Sequence, residues 1–252
     1  MNPPACSAEL WLVNLAESAG ILGVFESAGC LSGDDVVRLS RIESGIERDN
    51  RRRCYVALRW VLERWLGSAI RGVVLDRTSE GRPSVPGAPV DFSLSHAAHF
   101  ALIAVSRQGP LGVDIELQHE VDMPTARREE IVAAAAGFSG TPEGDPSSDA
   151  DFLSAWTIVE AYGKARGQGL PQVLSELGLF KAKRAGSVQR REITEAAGAL
   201  AHAARLQVSP LCFVDPLAGA LVAPKGLTVP PIRSFPSDKQ ALSEALPPRA
   251  GH

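Results

Sequence analysis

Apolar residues at helical spacing define the two longest predicted elements of the chain. Residues 49–66 contain neither Gly nor Pro, and their apolar side chains recur three and four residues apart. This spacing predicts a helix that ends at Gly67. The same reasoning predicts a second helix over residues 152–166, which Gly167 would end.

Short apolar segments, several of them rich in Val, Ile and aromatic residues, predict strands around these helices. They are residues 10–15, 73–75, 92–94, 100–105, 111–115, 205–208, 211–214 and 220–222. Residues 137–151 are rich in Gly, Pro, Ser and Asp and are expected to form an exposed loop. Short antiparallel strands combined with two main helices indicate an α+β fold rather than a doubly wound parallel sheet.

Length and composition exclude several classes of protein. The 252 residues suffice for one large domain or for two domains of about 110 to 130 residues each. No segment approaches the roughly 20 apolar residues that span a bilayer, and the residues after Met1 lack the charged-then-apolar pattern of a secretory signal. The four cysteines lie far apart without a CxxC pair, so we expect reduced thiols in a cytoplasmic protein.

Charge is unevenly distributed along the chain. In total, 29 acidic and 26 basic residues give a net charge of −3, which argues against a nucleic-acid-binding protein. Nine arginines nevertheless fall between Arg38 and Arg71, against four acidic residues. Such a cluster alone is more often a solvated helix face than an anion site. Residues 224–252 contain six prolines and are expected to be a poorly ordered tail outside the core.

The segment Leu111-Gly112-Val113-Asp114-Ile115-Glu116 carries the sharpest chemical signal. Side chains alternate along a strand, so Asp114 and Glu116 would share one face while Val113 and Ile115 pack into the core. Two carboxylates on one face repel each other unless a cation lies between them, and Mg²⁺ prefers such oxygen ligands. The alternative is a solvated strand edge with two ordinary acids.

A second signal lies on the predicted helix over residues 152–166. Trp156, Glu160 and Lys164 are spaced by four and therefore form one stripe along the helix. Trp156 can close the apolar base of a site while Glu160 and Lys164 stand at its edge. The alternative is an exposed Glu–Lys ion pair worth about 0.3–0.5 kcal/mol.

A third signal is Asp91-Phe92-Ser93-Leu94-Ser95-His96, a predicted strand that ends in Ser-His. The Ser95 hydroxyl and the His96 imidazole can both bind a phosphate oxygen, although a lone Ser-His pair at a strand end is more often structural. A serine nucleophile with a histidine base is disfavoured, because adjacent strand residues point to opposite faces.

In order, the chain contains Gly81-Arg82-Pro83, Phe92-Ser93-Leu94-Ser95-His96, Gly112-Val113-Asp114-Ile115-Glu116 and Trp156-Thr157-x-x-Glu160-Ala161-x-x-Lys164. This set resembles the 4′-phosphopantetheinyl transferases of the surfactin-synthetase type. The 41 residues from Ile115 to Ala155 match the spacing of roughly forty in that family, and Gly167-Gln168-Gly169-Leu170 matches its Gly-x-Gly-Leu. The resemblance covers about half of the chain, residues 48–170.

The resemblance implies an enzyme that transfers the 4′-phosphopantetheine arm of coenzyme A to a serine of an acyl or peptidyl carrier protein. It implies that Asp114, Glu116 and Glu160 bind Mg²⁺, and that Glu160 is also the candidate base for the serine hydroxyl. Lys164 would neutralise the phosphate and the departing 3′,5′-ADP. The residues implied to bind coenzyme A besides Lys164 are Arg82, Ser95 and His96 at phosphates, Pro83 near the adenine, and Arg48, Arg52 and Arg59 at the 3′-phosphate.

The fold implied by the resemblance consists of two similar α/β halves with pseudo-twofold symmetry and an active site at their interface. The expected divisions are residues 1–109 for the coenzyme A-binding half, 110–223 for the half with the acids and the catalytic helix, and 224–252 for the tail. The resemblance further implies a cytoplasmic monomer without nucleic-acid or membrane partners.

Two departures from the family keep other functions open. The family commonly has Lys before the helical glutamate where this chain has Val159, and Val159→Lys is expected to preserve or improve activity. The family also often shows Phe-Ser-x-x-Glu, but here an extra residue precedes Glu143, which therefore receives no metal or base role. The surrounding loop is the expected docking place of the carrier. The alternatives are a non-catalytic relative that binds coenzyme A or a carrier protein, and a Mg²⁺-dependent phosphoesterase.

Overall fold

A computed structural model describes residues 7–179, 190–214 and 216–238 of the chain. These residues form a mixed α+β structure that divides into two compact units. Unit 1 comprises residues 1–77, 83–107 and 230–252, and unit 2 comprises residues 78–82 and 108–229. The main division thus falls two residues before the expected boundary at residue 109. Among the described residues, no helix combines the length and apolarity required to cross a membrane.

Unit 1 contains a four-stranded sheet with helices. Its elements are β1 (Ala8–Asn14), α1 (Ala19–Ser27), α2 (Gly33–Ser40), α3 (Gly45–Leu66), a 3₁₀ turn (Ser68–Ile70), β2 (Asp76–Arg77), β3 (Pro83–Ser84), β4 (Asp91–Ala97), β5 (Phe100–Ser106) and β9 (Ile232–Ser234). The sheet order is β4-β5-β1-β9, in which β9 alone of the described strands runs parallel to its neighbour. The small β2–β3 pair is a separate antiparallel ribbon.

Local sequence explains the ends of the helices in unit 1. Ser32 and Asp35 form a reciprocal capping box at the start of α2, which satisfies two backbone N–H groups. Ser44 caps α3, and Gly67 ends it with a φ of +80° that favours glycine. The buried face of α3 packs with apolar residues of α1, β1, β4 and β5 to form the core of this unit.

Unit 2 contains a three-stranded antiparallel sheet covered by helices. Its elements are β6 (Gly112–Leu117), α4 (Thr125–Ser139), α5 (Asp149–Arg166), α6 (Leu170–Glu176), α7 (Arg190–Ala203), β7 (Leu206–Leu211) and β8 (Leu217–Pro224). The sheet order is β6-β8-β7. The alanine-rich α4 packs against α5 and α7, and Gly137 allows its close approach to α7, since a Cβ there would lie 2.2 Å from the Thr194 carbonyl oxygen.

Three strands in each unit pair in the same order. In unit 1 the first strand β1 pairs with β5, which pairs with β4; in unit 2 the first strand β6 pairs with β8, which pairs with β7. In each unit, helices separate the first strand from the later antiparallel pair. The pseudo-twofold arrangement of the halves remains a prediction, because the shared pairing order is a property of each unit separately.

The structure corrects three expectations about the elements. The tail expected over residues 224–252 begins within the fold, because β8 extends to Pro224, β9 pairs with β1 and Phe235 is buried, whereas residues 239–252 lie outside the described residues. The loop expected over residues 137–151 starts and ends inside helices, because α4 reaches Ser139 and α5 starts at Asp149. The strand predicted over residues 73–75 is found instead at β2, residues 76–77. Of the strand predicted over residues 211–214, only Leu211 is in a strand, at the end of β7.

Candidate active site

The candidate site of unit 2 is built where β6 packs against α5. Gly112 permits this contact, because a Cβ there would lie 1.9 Å from the Ala161 carbonyl oxygen and 2.6 Å from the Ala165 nitrogen. The strand then presents Asp114 to the last turns of α5, where the Lys164 Nζ donates to its Oδ1 at 2.6 Å. The Asp114 side chain is 6% exposed and that of Lys164 31%, so the pair is partly shielded from water.

Caps at both ends of helix α5 define where its functional side chains lie. Ser148 caps it by accepting from the Asp151 N–H at 3.3 Å, and Gly167 ends it in the left-handed conformation. Trp156 is partly buried against the core, and Glu160 and Lys164 are likewise half-buried. The three residues, which the spacing of four places on one face of the helix, therefore lie at the boundary between core and solvent.

Three carboxylates interact at this place. Burial, with the charge of Asp114, raises the pKa of Glu160 above its ordinary value, and Lys164 only partly opposes this. The pKa of Glu116 is also raised, first by burial and then by Asp114, with a further contribution from Glu160. Negative charge is therefore concentrated here at an energetic cost, which a cation would reduce.

The three acids fit a divalent cation in chemistry. Carboxylate oxygens are the ligands that Mg²⁺ prefers, and burial, followed by the charge of Asp114, raises the pKa values of Glu116 and Glu160. However, among the residues that the structure describes, no three His, Cys, Asp or Glu side chains form a ready metal cluster. In this conformation the Lys164 ammonium is the cation that contacts Asp114.

Arg82 also belongs to unit 2, and its guanidinium contacts the protein main chain. It donates to the carbonyl oxygens of Lys164, Ala165 and Leu111 at 2.7, 2.8 and 3.1 Å. The contact of Arg82 with phosphate stays a prediction.

The arginines predicted to bind the 3′-phosphate lie on α3 in unit 1, and they differ in their surroundings. Arg59 is 1% exposed and its guanidinium forms a buried ion pair with Asp35 at 2.6 Å. It also donates to the Val73 carbonyl at 2.6 Å, so its burial does not suit the predicted role. Arg52 pairs at the surface with Glu26 at 2.9 Å, and Arg48 is half-buried. These two remain candidates.

The Ser-His signal is also in unit 1, at the end of the edge strand β4. The His96 Nε2 lies 3.0 Å from the Glu47 Oε1 of α3, whereas Ser95 is buried on the opposite face of the strand. Burial acts to raise the pKa of Glu47, but the hydrogen bond and charge of His96, together with Arg51, lower it on balance. Sequence reasoning missed Glu47, because 49 positions separate it from His96.

Two further predicted positions are placed by their local contacts. Pro83 lies in β3 opposite Arg77. Glu143, which received no metal or base role, accepts from Arg190 at 2.7 Å and from Thr194 at 3.3 Å. These contacts tie Glu143 to α7.

No family model matches this chain. The chain is 29% identical over 173 residues to the 4′-phosphopantetheinyl transferase HetI of Nostoc sp., covering 65% of this chain and 70% of that protein. This similarity supports the phosphopantetheinyl transferase superfamily. The surfactin-synthetase type within it remains a prediction from the motifs.

The structure shows where the main departure from the family motif lies, at Val159. Val159 is fully buried in the core of unit 2, one residue before Glu160 on α5. A lysine at this point would have to leave the core to reach phosphate. The expectation that Val159→Lys preserves or improves activity is therefore revised, because that substitution places a charge in an apolar environment.

Proposed function

We propose that this protein transfers the 4′-phosphopantetheine arm of coenzyme A to a serine of an acyl or peptidyl carrier protein. The observation that supports this most directly is the contact of Lys164 with Asp114 beside two glutamates of raised pKa. The similarity to a named 4′-phosphopantetheinyl transferase and the four ordered motifs point to the same activity.

Glu160 suits the role of proton acceptor in this reaction. Its carboxylate is half-buried on α5, and a carboxylate within hydrogen-bond reach of a hydroxyl can accept its proton. The serine hydroxyl would give its proton to Glu160 while its oxygen bonds to the phosphorus that carries the pantetheine arm. The bond from that phosphorus to the bridging pyrophosphate oxygen breaks, and 3′,5′-ADP leaves.

Lys164 and the other two acids would manage charge. Asp114, Glu116 and Glu160 are the residues that would hold Mg²⁺, which when bound supplies charge neutralisation at the pyrophosphate. Lys164 stands on the same face and would offset the negative charge that develops on the leaving group. Phosphoryl transfer depends mainly on such positioning and electrostatic stabilisation.

Intact-protein mass spectrometry tests the proposal. A panel of apo acyl and peptidyl carrier proteins is incubated with the protein, coenzyme A and Mg²⁺, with a matched EDTA sample. One carrier should gain a single phosphopantetheine, and EDTA should prevent the gain. Asp114→Ala and Glu160→Ala should abolish transfer, whereas Glu195→Ala, at an exposed ion pair on α7, should not.

The other outcomes separate the competing functions. Binding of coenzyme A by calorimetry with no mass gain on any carrier would indicate a non-catalytic binding protein. Release of product from coenzyme A without an acceptor would indicate a phosphoesterase. Wild-type turnover in Asp114→Ala or Glu160→Ala would show that the acids have been assigned wrongly.

A further inference from the structure

The turn that carries Arg82 holds this side chain in a defined position. Residues 78–81 are exposed, while Arg82 is half-buried. The turn is closed by the Thr78 N–H donating to the Arg82 carbonyl at 3.0 Å and by the Arg82 N–H donating to the Thr78 Oγ1 at 3.1 Å. Gly81, with a φ of +82°, supplies the left-handed residue that the turn requires.

The guanidinium of Arg82 binds the end of α5 and the start of β6 together. Its Nη1 donates to the carbonyls of Lys164 and Ala165, and its Nη2 donates to that of Leu111. The last carbonyls of a helix lack partners within the helix, and a cation there interacts favourably with the helix dipole. A planar guanidinium can satisfy several acceptors at once with fixed geometry.

The residues bound in this way are neighbours of the candidate chemistry. One carbonyl belongs to Lys164 itself, and Leu111 lies three residues before Asp114. Gly112, which lies between Leu111 and Asp114, packs directly on the backbone of α5. The contact of the Lys164 side chain with Asp114 at 2.6 Å therefore joins α5 to β6. The Arg82 guanidinium binds backbone carbonyls at the end of α5 and just before β6.

We propose that Arg82 is a positioning residue, which acts by holding the last turn of α5 against β6 so that Lys164 and Asp114 keep their mutual geometry. This inference rests on the proposed function for its catalytic consequence. It replaces the phosphate contact expected from the motif with a role in which the guanidinium contacts the protein main chain.

Steady-state kinetics with Arg82→Lys and Arg82→Met separate the two roles. A lysine retains the charge that a phosphate ligand needs, but its compact ammonium cannot reproduce the guanidinium fork. If Arg82 positions α5, both variants lower kcat by about 100-fold, since small displacements of reacting groups have effects of that size. The KM for coenzyme A and its calorimetric Kd should change by much less than kcat, because a displaced Lys164 and Asp114 lose more contact with the transition state than with bound substrate.

Arg127→Lys is the matched control. Arg127 is in the same unit and also donates to a main-chain carbonyl, that of Leu179, at 2.8 Å. This variant should keep the wild-type kcat and KM. A Kd for coenzyme A that rises at least tenfold in Arg82→Lys with little change in kcat would assign a phosphate contact and overturn the proposal, as would wild-type kinetics in both Arg82 variants.

Amide hydrogen exchange provides a readout that needs no turnover. Arg82→Met should accelerate exchange in the last turn of α5 and at the start of β6, and Arg127→Lys should not. Unchanged exchange in these segments would overturn the proposed positioning. If the wild-type protein modifies no carrier while Arg82→Met still accelerates exchange, the proposed function fails but the structural contact of Arg82 stands.

Discussion

The side chain of Lys164 contacts the carboxylate on which a divalent cation would also depend. Its Nζ lies 2.6 Å from the Asp114 Oδ1. Lys164→Met should therefore bind Mg²⁺ several-fold more tightly in calorimetry, because no ammonium competes for Asp114. The same variant should transfer phosphopantetheine at least about 100-fold more slowly, because a charge at the leaving group is lost.

Lys225→Met controls for the general loss of a lysine from unit 2. Lys225 lies 3.2 Å from His202 and is exposed, so its removal should change neither Mg²⁺ affinity nor transfer. Equal Mg²⁺ affinity in Lys164→Met and wild type would show that the contact with Asp114 does not compete with the metal.

The burial of Val159 argues against the expectation that Val159→Lys preserves or improves activity. Val159 is 0% exposed, so Val159→Lys should lower the free energy of unfolding by about 3 kcal/mol or more. Urea denaturation followed by circular dichroism measures this loss. Val214→Lys in the same unit, at a side chain that is 92% exposed, should leave stability unchanged. A Val159→Lys protein as stable as wild type would restore the original expectation.

At the scale of elements, periodicity found the long helices but not the alanine-rich ones. α3 and α5 end at the glycines that the sequence indicated, although each starts three or four residues earlier than expected. α4 was missed, because alanines give little amphipathic contrast when almost every side is buried. The start of α2 could have been predicted from the sequence, because Ser32 and Asp35 have the spacing of a capping box.

The close packing of β6 on α5 depends on Gly112, and the sequence does not show which backbone atoms this glycine meets. Gly112→Ala should destabilise the protein by about 3 kcal/mol, because its Cβ would overlap backbone atoms that cannot move aside easily. Thermal and urea denaturation would measure the loss. Gly23→Ala, in α1 where a Cβ meets nothing within 4 Å, should instead stabilise by about 0.5–1 kcal/mol. Equal stability of Gly112→Ala and wild type would contradict the close packing.

At the scale of the whole molecule, the motifs predicted that residues of β6 and α5 come together, but they did not predict the acceptors of two arginines. Asp114 and Lys164 were expected at one site and are in contact. Arg59 and Arg82 were expected at phosphates, but their guanidiniums bind Asp35 and main-chain carbonyls. A sequence shows that an arginine is present but not which acceptor lies nearest, because that acceptor is usually distant along the chain.

The end of the chain illustrates the same limit over a longer distance. Proline content suggested a tail outside the core, yet β9 pairs with β1, and Phe235 contacts Trp11 and Trp60 with ring centroids 6.4 and 4.8 Å away. Strand pairing between residues more than 200 positions apart leaves no local signature. Residues 231–235 are therefore expected to contribute to the stability of unit 1.

Phe235→Ala tests that contribution. The ring is 5% exposed, and removing it should lower the free energy of unfolding by about 3–5 kcal/mol. Tryptophan fluorescence in a Trp156→Phe background would report unit 1 alone, because the other three tryptophans, Trp11, Trp60 and Trp65, belong to it. Val229→Ala, at a side chain 38% exposed, is the control and should leave the denaturant midpoint nearly unchanged. An unchanged midpoint in Phe235→Ala would mean that the core of unit 1 is complete without the end of the chain, and that the prolines there do mark a dispensable tail.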